Sequence, residues 1–431
     1  MEDYTSNIEL IHIGDIHFKY IDKNYNHTLI RDSSFPPKLL RALSSKGCES
    51  IIYNLSEEMR ANPLAILVSG DLCVSGDVDD FKNCLEFLKL RIPPNFFSSD
   101  PFQKIFLVPG NHDIDRKEYS EDSILPKFQP MVNALKERDF PEMPLDAIEA
   151  KEICGEKSGK ALIIAINSCY GCGERRLYPK EIREAIGKFL DADPYSKDFE
   201  DLDTPMFNTE NIDSLANCIR NSNINCVPII LSHHNLLTQN VLKVELYAEL
   251  INSGYMRDVL ISLNRPILYL HGHLHNDPVE IISSPYYKYS KIICISAPLL
   301  FPNTRYKSRN FGFNKIKIFY SNDLTPIGCE IINNKFADLS PEKRIVRVRF
   351  WDLPHTMALM TDQEKDLLKL MDREMYLGDL KQISDKKVGR ISSLEEIEKL
   401  VEELDWLGLV EYRKESETNP LGMRKVCRVV Q

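Results

Sequence analysis

The sequence has no apolar run approaching the ~18 residues of a membrane-spanning helix, which argues against a bilayer span within it. It has no excess of basic residues either. Lys and Arg number 54 against 64 Asp and Glu, a net charge of −10. The chain as a whole is therefore not a bulk binder of nucleic acid or anionic membrane, and any such contact needs a local basic patch. The opening Met1-Glu2-Asp3-Tyr4 shows no basic stretch leading into an apolar one. No secretory leader is expected, and the expected location is the cytoplasm. Compositional extremes are missing too: 43% hydrophobic and 27% charged residues exclude a collagen-like or wholly disordered chain. A second CxxC at zinc-ribbon spacing is lacking, so Cys169-Tyr170-Gly171-Cys172 reads as a turn after a strand. The 11 cysteines are odd in number, and Cys226, Cys294 and Cys329 sit in apolar runs. Buried free thiols fit that pattern better than a disulfide framework.

What is present is a run of short apolar segments ending abruptly at polar residues or glycine. They are Ile8–Ile13, Ala65–Val68, Ile105–Val108, Ala161–Ile166, Val227–Leu231, Pro266–Leu270 and Ile292–Ile295. Each has the length and β-branched content of a buried strand. Helical spacing separates the early ones, over Pro37–Arg60 and Asp79–Leu90. Strand alternating with helix predicts an α/β core. Phe313–Tyr320 and Thr325–Ile332 read as a hairpin. The polar, proline-bearing and partly helical stretches 114–160 and 173–225 read as insertions that shape a site over one face.

A domain boundary is expected near Ser340-Pro341, giving a first domain over 1–340 and a second over 341–431. The second shows helical patterns over Thr361–Met371, Leu377–Ile383 and Ser392–Leu407. Strand patterns follow over Leu409–Tyr412 and Val426–Val430. Three helices followed by a strand pair resemble a winged helix. The third helical segment carries six acidic residues and one lysine between Ser392 and Asp405, and Ser393 with Glu396 has capping-box spacing. That charge suits a solvated face or a protein partner better than DNA phosphates.

Five short motifs sit at the ends of the predicted strands: Asp15-Ile16-His17, Gly70-Asp71, Gly110-Asn111-His112-Asp113, Ser232-His233-His234 and Gly272-His273-Leu274-His275. In an α/β sheet the strand C-termini converge on one rim, where ligands bind. Carboxylate, amide oxygen and imidazole suit Mn, Fe or Zn, and the absence of Cys from the set disfavours a structural zinc knot. One carboxylate can bridge two cations about 3.5–4 Å apart, with a hydroxide between them as the nucleophile for in-line displacement at phosphorus.

These five motifs, in this order, resemble the calcineurin-like metallophosphoesterase superfamily over about residues 8 to 335. The resemblance implies two stacked mixed sheets with helices outside. It implies that Asp15, His17 and His275 bind one divalent cation, that Asn111, His233 and His273 bind a second, and that Asp71 bridges both. Mn is the expected metal, with Fe or Zn as alternatives. His112 is then a transition-state stabiliser or general acid, and Asp113 is expected to orient it through a hydrogen bond. Arg116 and His234 are candidate substrate contacts; for Arg116 the competing reading is a plain salt bridge. The adjacent His233 and His234 are expected to diverge, as neighbours on a strand do. His12 reads as a packed core histidine and His271 as a neighbour of the ligands.

The residues around the motifs narrow the branch. Gly70-Asp71-Leu72-Cys73-Val74-Ser75-Gly76 lacks the phosphoprotein-phosphatase signature, and Val74 stands where purple acid phosphatases have a tyrosine. The pattern is most similar to class III cyclic nucleotide phosphodiesterases and related bacterial phosphoesterases. The expected substrate is accordingly a phosphodiester in a nucleotide or nucleic acid. The alternatives are a nuclease of a bacterial defence system that needs a partner for its grip, and a regulatory protein with an ancillary phosphoesterase core whose recruiting module is residues 341–431.

Overall fold

The computed structural model describes residues 8–18, 50–74, 76–90, 92–97, 104–116, 118, 120, 122–155, 159–177, 179–192, 203–237, 249–287, 289–301, 311–320, 324–337, 340–351, 362–371, 374–387, 393–406, 409–413 and 425–428. The chain divides into two units, one of residues 1–326 and 330–346, the other of 327–329 and 347–431.

The first unit is built on two six-stranded sheets. Strands β1 (Ile8–Ile13), β2 (Ala65–Val68) and β3 (Ile105–Leu107) run parallel. Antiparallel β10 (Gly312–Tyr320) pairs with β1, and β11 (Pro326–Ala337) and β12 (Ser340–Arg349) complete the order β12-β11-β10-β1-β2-β3. The second sheet centres on parallel β5 (Lys160–Ala165), β6 (Cys226–Leu231), β7 (Pro266–His271) and β9 (Lys291–Ser296). Its edges are antiparallel β4 (Glu149–Cys154) and β8 (Val279–Ser283). Both sheets are therefore mixed, as expected.

Every residue of β2, β6 and β7 is buried, so both faces of these strands are covered. One face of the first sheet packs Ile11, Ile13, Ile66 and Val68 under helices α1 (50–60), α2 (Val78–Lys89) and α3 (Gln129–Glu137). One face of the second packs Ile230, Ile267 and Tyr269 under α5 (Ile212–Asn221) and α6 (Ser253–Ser262). The opposite faces carry Leu10, Leu67 and Phe106, and Ile229, Leu231 and Leu268. They are equally buried, and there the two sheets cover each other. Asn314 of β10 donates its amide to the Ser296 carbonyl of β9 at 2.8 Å across that layer. Helix α2 starts where its spacing predicts, because the Asp77 side chain accepts from the amides of Asp79 and Asp80.

Two elements differ from the sequence reading. The stretch 114–160 is not all insertion, since β4 is an edge strand of the second sheet. The stretch 173–225 contains α4 (Lys180–Ala192) and α5, in keeping with its partly helical pattern. Strand β12 runs from Ser340 to Arg349, so the position expected for the domain boundary opens a strand of the first sheet. Of the helix expected over Pro37–Arg60, residues 37–49 lie outside the described residues.

The second unit contains α7 (Asp362–Leu370), β13 (Met375–Tyr376), α8 (Leu377–Lys387), α9 (Leu394–Trp406), β14 (Val410–Arg413) and β15 (Lys425–Arg428). The strands form an antiparallel sheet in the order β13-β15-β14. Leu367, Met371, Leu380, Ile397, Val401 and Leu404 form its core at helical spacing.

Candidate metal centre

The ends of β1, β2 and β3 in the first sheet and of β6 and β7 in the second deliver all seven expected ligands. The chain leaves these strands through sharply bent backbone. Asp15 (φ 50°), His17 (47°), Asp71 (53°), His273 (67°) and His275 (53°) are all left-handed. That conformation costs a side-chain-bearing residue about 1 kcal/mol or more, and such strain collects at functional sites. Hydrogen bonds between the loops hold it in place: Asp15 N to Gly70 O (3.1 Å), His17 N to Asp71 O (3.0 Å) and Gly272 N to His233 O (3.0 Å). Gly110 is required by close approach, because a Cβ there would lie 2.0 Å from Asp71 Oδ1.

Ligand atoms of Asp15, His17, Asp71 and His275 all lie within 4.8 Å of one another. His17 Nε2 is 3.1 Å from His275 Nε2 and 3.7 Å from Asp71 Oδ2, and His275 Nε2 is 3.5 Å from Asp15 Oδ1. The other half of the site centres on Asn111, whose Oδ1 lies 3.0 Å from His233 Nε2 and 3.2 Å from His273 Nδ1. Asp71 Oδ2 links the halves at 3.5 Å from His233 Nε2.

Partners behind these side chains fix their rotamers. His233 Nδ1 donates to the Ser69 carbonyl at 2.7 Å, which leaves Nε2 as the lone-pair nitrogen. The Asp15 carboxylate accepts the His273 amide at 3.0 Å, and Asp71 Oδ1 accepts the His112 amide at 2.9 Å. Burial pushes the imidazole pKa of His233 down. Burial, then His233 and His275 nearby, push that of His273 well below its ordinary value. Both rings are thus neutral near pH 7. Neutral imidazoles, a carboxamide oxygen and carboxylates turned toward one another make a donor set that fits divalent cations.

His112 is buried beside the first group, its ring centroid 4.9 Å from that of His17. Its Nδ1 donates to the Val74 carbonyl at 3.2 Å. Asp113 does not orient it. That carboxylate accepts the backbone amides of Gly110 (2.9 Å), Cys73 (3.1 Å) and Leu72 (3.2 Å), and so ties the loop after β2 to the loop after β3. Burial raises the Asp113 pKa to about 7 against the opposing pull of those amides. Arg116 forms a salt bridge with Asp203 and donates to the Asn111 carbonyl at 3.0 Å.

His234 does not diverge from His233. Strand β6 has ended at Leu231, so strand alternation no longer applies, and the two rings lie 4.8 Å apart. His234 Nδ1 is 3.1 Å from Ser168 Oγ. Its buried Nε2 makes no hydrogen bond among the described residues, and its ring centroid is 4.6 Å from that of His273. Cys169 and Cys172 are both buried and close a turn, Cys172 N to Cys169 O at 3.1 Å. Cys169 Sγ donates to the Pro109 carbonyl at 3.2 Å, and burial raises its thiol pKa. Ser69, Ser168 and Asp203 belong to no motif, and nothing in their sequence context announces them.

A family model described as calcineurin-like phosphoesterase matches residues 8–277. Comparison with curated proteins finds no match. Among solved structures, a dimetal phosphatase from Danio rerio is 12% identical, with TM-score 0.44, over 79% of this chain and 98% of its own. The phosphopantetheinyl hydrolase of Mycobacterium tuberculosis is 16% identical, with TM-score 0.35, over 67% and 89%. A purple acid phosphatase from seeds of yellow lupin, Lupinus luteus, is 13% identical, with TM-score 0.42, over 79% and 53%. With the family match spanning every candidate ligand, the chain belongs to the calcineurin-like phosphoesterases, a family of metal-dependent enzymes acting on phosphate esters.

Proposed function

We propose that the protein is a dinuclear metal-dependent phosphodiesterase acting on a nucleotide or nucleic-acid phosphodiester. The observation that carries this reading is the position of Asp71. Its Oδ2 lies 3.7 Å from His17 Nε2 and 3.5 Å from His233 Nε2, so one oxygen faces both halves of the site. Asp15, His17 and His275 would hold one cation and Asn111, His233 and His273 the other, with Asp71 between them. An all O and N donor set of this kind suits Mn, and also Fe or Zn. When bound, two such cations supply Lewis acidity at phosphorus oxygens and make a water acidic enough to attack near neutral pH.

The chain's own residues then divide the remaining work. His112 donates Nδ1–H to Val74, which aims Nε2 elsewhere. A protonated Nε2 can stabilise the phosphoryl charge and give its proton to the leaving oxygen. His234 borders the same cluster with an Nε2 able to meet a substrate oxygen. A monoester carries close to two negative charges near pH 7, a diester one. Among the described residues, Arg116 is paired with Asp203, and Lys127 donates to the carbonyls of Tyr170 and Cys172. That favours the monoanion. The second unit, with its helix-strand-helix-helix-strand-strand order, is proposed to be a winged helix that recruits a protein partner.

The test uses the purified full chain with bis(p-nitrophenyl) phosphate and p-nitrophenyl phosphate as paired substrates. Diester turnover should vanish in chelator and return with Mn²⁺. A clear preference for the monoester would overturn the reading. A panel of cyclic nucleotides, linear dinucleotides and single-stranded oligonucleotides then separates nucleotide from nucleic acid.

A further inference from the structure

Asp203 lies outside every motif, on the stretch that follows α4, and only 4% of it is exposed. Its Oδ2 accepts from Asn111 Nδ2 at 3.3 Å and from Arg116 Nη2, and its Oδ1 accepts from Gly173 N at 3.1 Å. Arg116 also donates to the backbone carbonyl of Asn111 at 3.0 Å. One largely buried ion pair, with Asp203 its more enclosed member, therefore holds both the side chain and the main chain of a single candidate ligand.

The chemistry of this contact decides an orientation. A carboxamide has one accepting end and one donating end, and a half-turn exchanges them. A carboxylate only accepts, so the NH₂ end of Asn111 must face Asp203. The oxygen is thereby turned toward His233 Nε2 and His273 Nδ1. A buried carboxylate standing alone would cost several kcal/mol and would compete for a cation next door. The Arg116 guanidinium and the Gly173 amide occupy it, so it adds little net charge to the pocket.

We infer that Asp203 is the positioning residue for the second cation: it locks the Asn111 amide with the oxygen toward the metal site, and Arg116 holds Asp203 in place. This rests on the reading of Asn111 as a ligand. Partners of this kind behind a ligand are worth about 10- to 100-fold in metal affinity. The effect should be confined to one of the two cations, because Asp203 makes no contact with Asp15, His17 or His275 among the described residues.

The test is a double-mutant cycle on the full chain, read as Mn²⁺ stoichiometry and affinity by chelator competition, with no use of turnover. Asn111→Ala should weaken one of the two Mn²⁺ sites. Asp203→Ala should weaken the same site, and in the Asn111→Ala background it should add nothing. Asp203→Asn keeps the size and one accepting oxygen, so its loss should be smaller and at the same site. It replaces the alanine variant in the cycle if that variant does not fold. Two tightly bound Mn²⁺ in both Asp203 variants would overturn the inference. So would an Asp203 effect that persists undiminished without Asn111, since that marks a general structural role. If Asn111→Ala itself keeps both ions at wild-type affinity, the ligand reading of Asn111 fails, and this separates the two failures.

Discussion

Asn111 Oδ1 and His233 Nε2 meet at 3.0 Å although 122 residues separate them and their strands belong to different sheets. The first sheet alone supplies Asp15, His17, Asp71 and Asn111; the second supplies His233, His273 and His275. No half of the fold can hold a complete site. Cation affinity is therefore linked to the assembly of the two sheets, and ligand that binds only the folded chain raises its stability by mass action.

Asp71 is where that linkage concentrates, since its carboxylate faces both groups and also accepts the His112 amide. Asp71→Asn keeps the shape and removes the charge. Diester turnover should be abolished and the content of both cations should fall, measured by elemental analysis after desalting. The gain in melting temperature on adding Mn²⁺ should shrink with them. Unchanged occupancy of both sites would place the bridge elsewhere.

His112 should separate binding from chemistry. Its ring lies beside His17, but its Nδ1 is spent on the Val74 carbonyl and its backbone amide on Asp71. His112→Ala should lower kcat by roughly 10²–10⁴, the usual span for a general acid or base. Bound metal should stay at the wild-type level. Loss of metal together with the side chain would make His112 a ligand and not an acid.

The strands that carry the site were legible because they are buried on both faces. Ala65–Val68 reads as a continuous apolar run and Ile8–Ile13 as one broken only by Glu9 and His12, and both fold over those very residues. Edge strands were not. Glu149–Cys154 has three charged residues in six, two of them adjacent, and only Ile153 is buried, so it shows neither an apolar run nor clean alternation. The candidate ligands stood out because oxygen and imidazole donors sit at successive strand ends, and the fold brings these side chains together. Their supports did not: Asp203 and Ser168 reach the site only through tertiary folding, from positions with no local pattern. Asp113 shows the opposite error. It sits inside a motif and invited a role beside His112, but its carboxylate is consumed by three backbone amides.

His12 of β1 carries a prediction about pH. It is fully buried, with Nε2 3.1 Å from Ser69 Oγ and Nδ1 3.4 Å from Asn314 Nδ2. Burial, helped by His271, lowers its pKa to about 3 from an ordinary 6.5. A histidine kept neutral in the folded state stabilises fully above the unfolded pKa. As pH falls below about 6.5, the unfolded chain takes up a proton that the folded chain refuses, and stability drops by about 1.4 kcal/mol per pH unit toward pH 3. His12→Gln should be less stable at pH 7 but should lose that share of the acid slope. Denaturant unfolding of the metal-free protein at several values between pH 7 and 4 would show it. Parallel slopes for wild type and variant would refute the buried-neutral assignment.

The acidic helix α9 bears on whether the second unit meets nucleic acid. Much of its charge is architectural. Ser393 Oγ accepts the Glu396 amide at 3.1 Å while Glu396 Oε2 accepts the Ser393 amide at 3.2 Å, the reciprocal cap anticipated from spacing. Glu398 accepts the Tyr412 hydroxyl at 2.6 Å, and Asp405 accepts the Tyr412 amide at 3.0 Å, so two further acids fasten β14 to the helix. In a DNA-reading winged helix the corresponding third helix enters the major groove, where carboxylates oppose the counterion release that drives binding. The intact protein should therefore show no binding to a fluorescent duplex tighter than about 100 µM at physiological ionic strength, the weak edge of ordinary non-specific association. The intact chain is the right material, because a chain cut at Ser340 loses strand β12 from the first sheet. Micromolar binding that weakens steeply with salt would overturn this expectation. It would also shift the preferred substrate toward nucleic acid, since the second unit would then supply a grip that a chain of net charge −10 otherwise lacks.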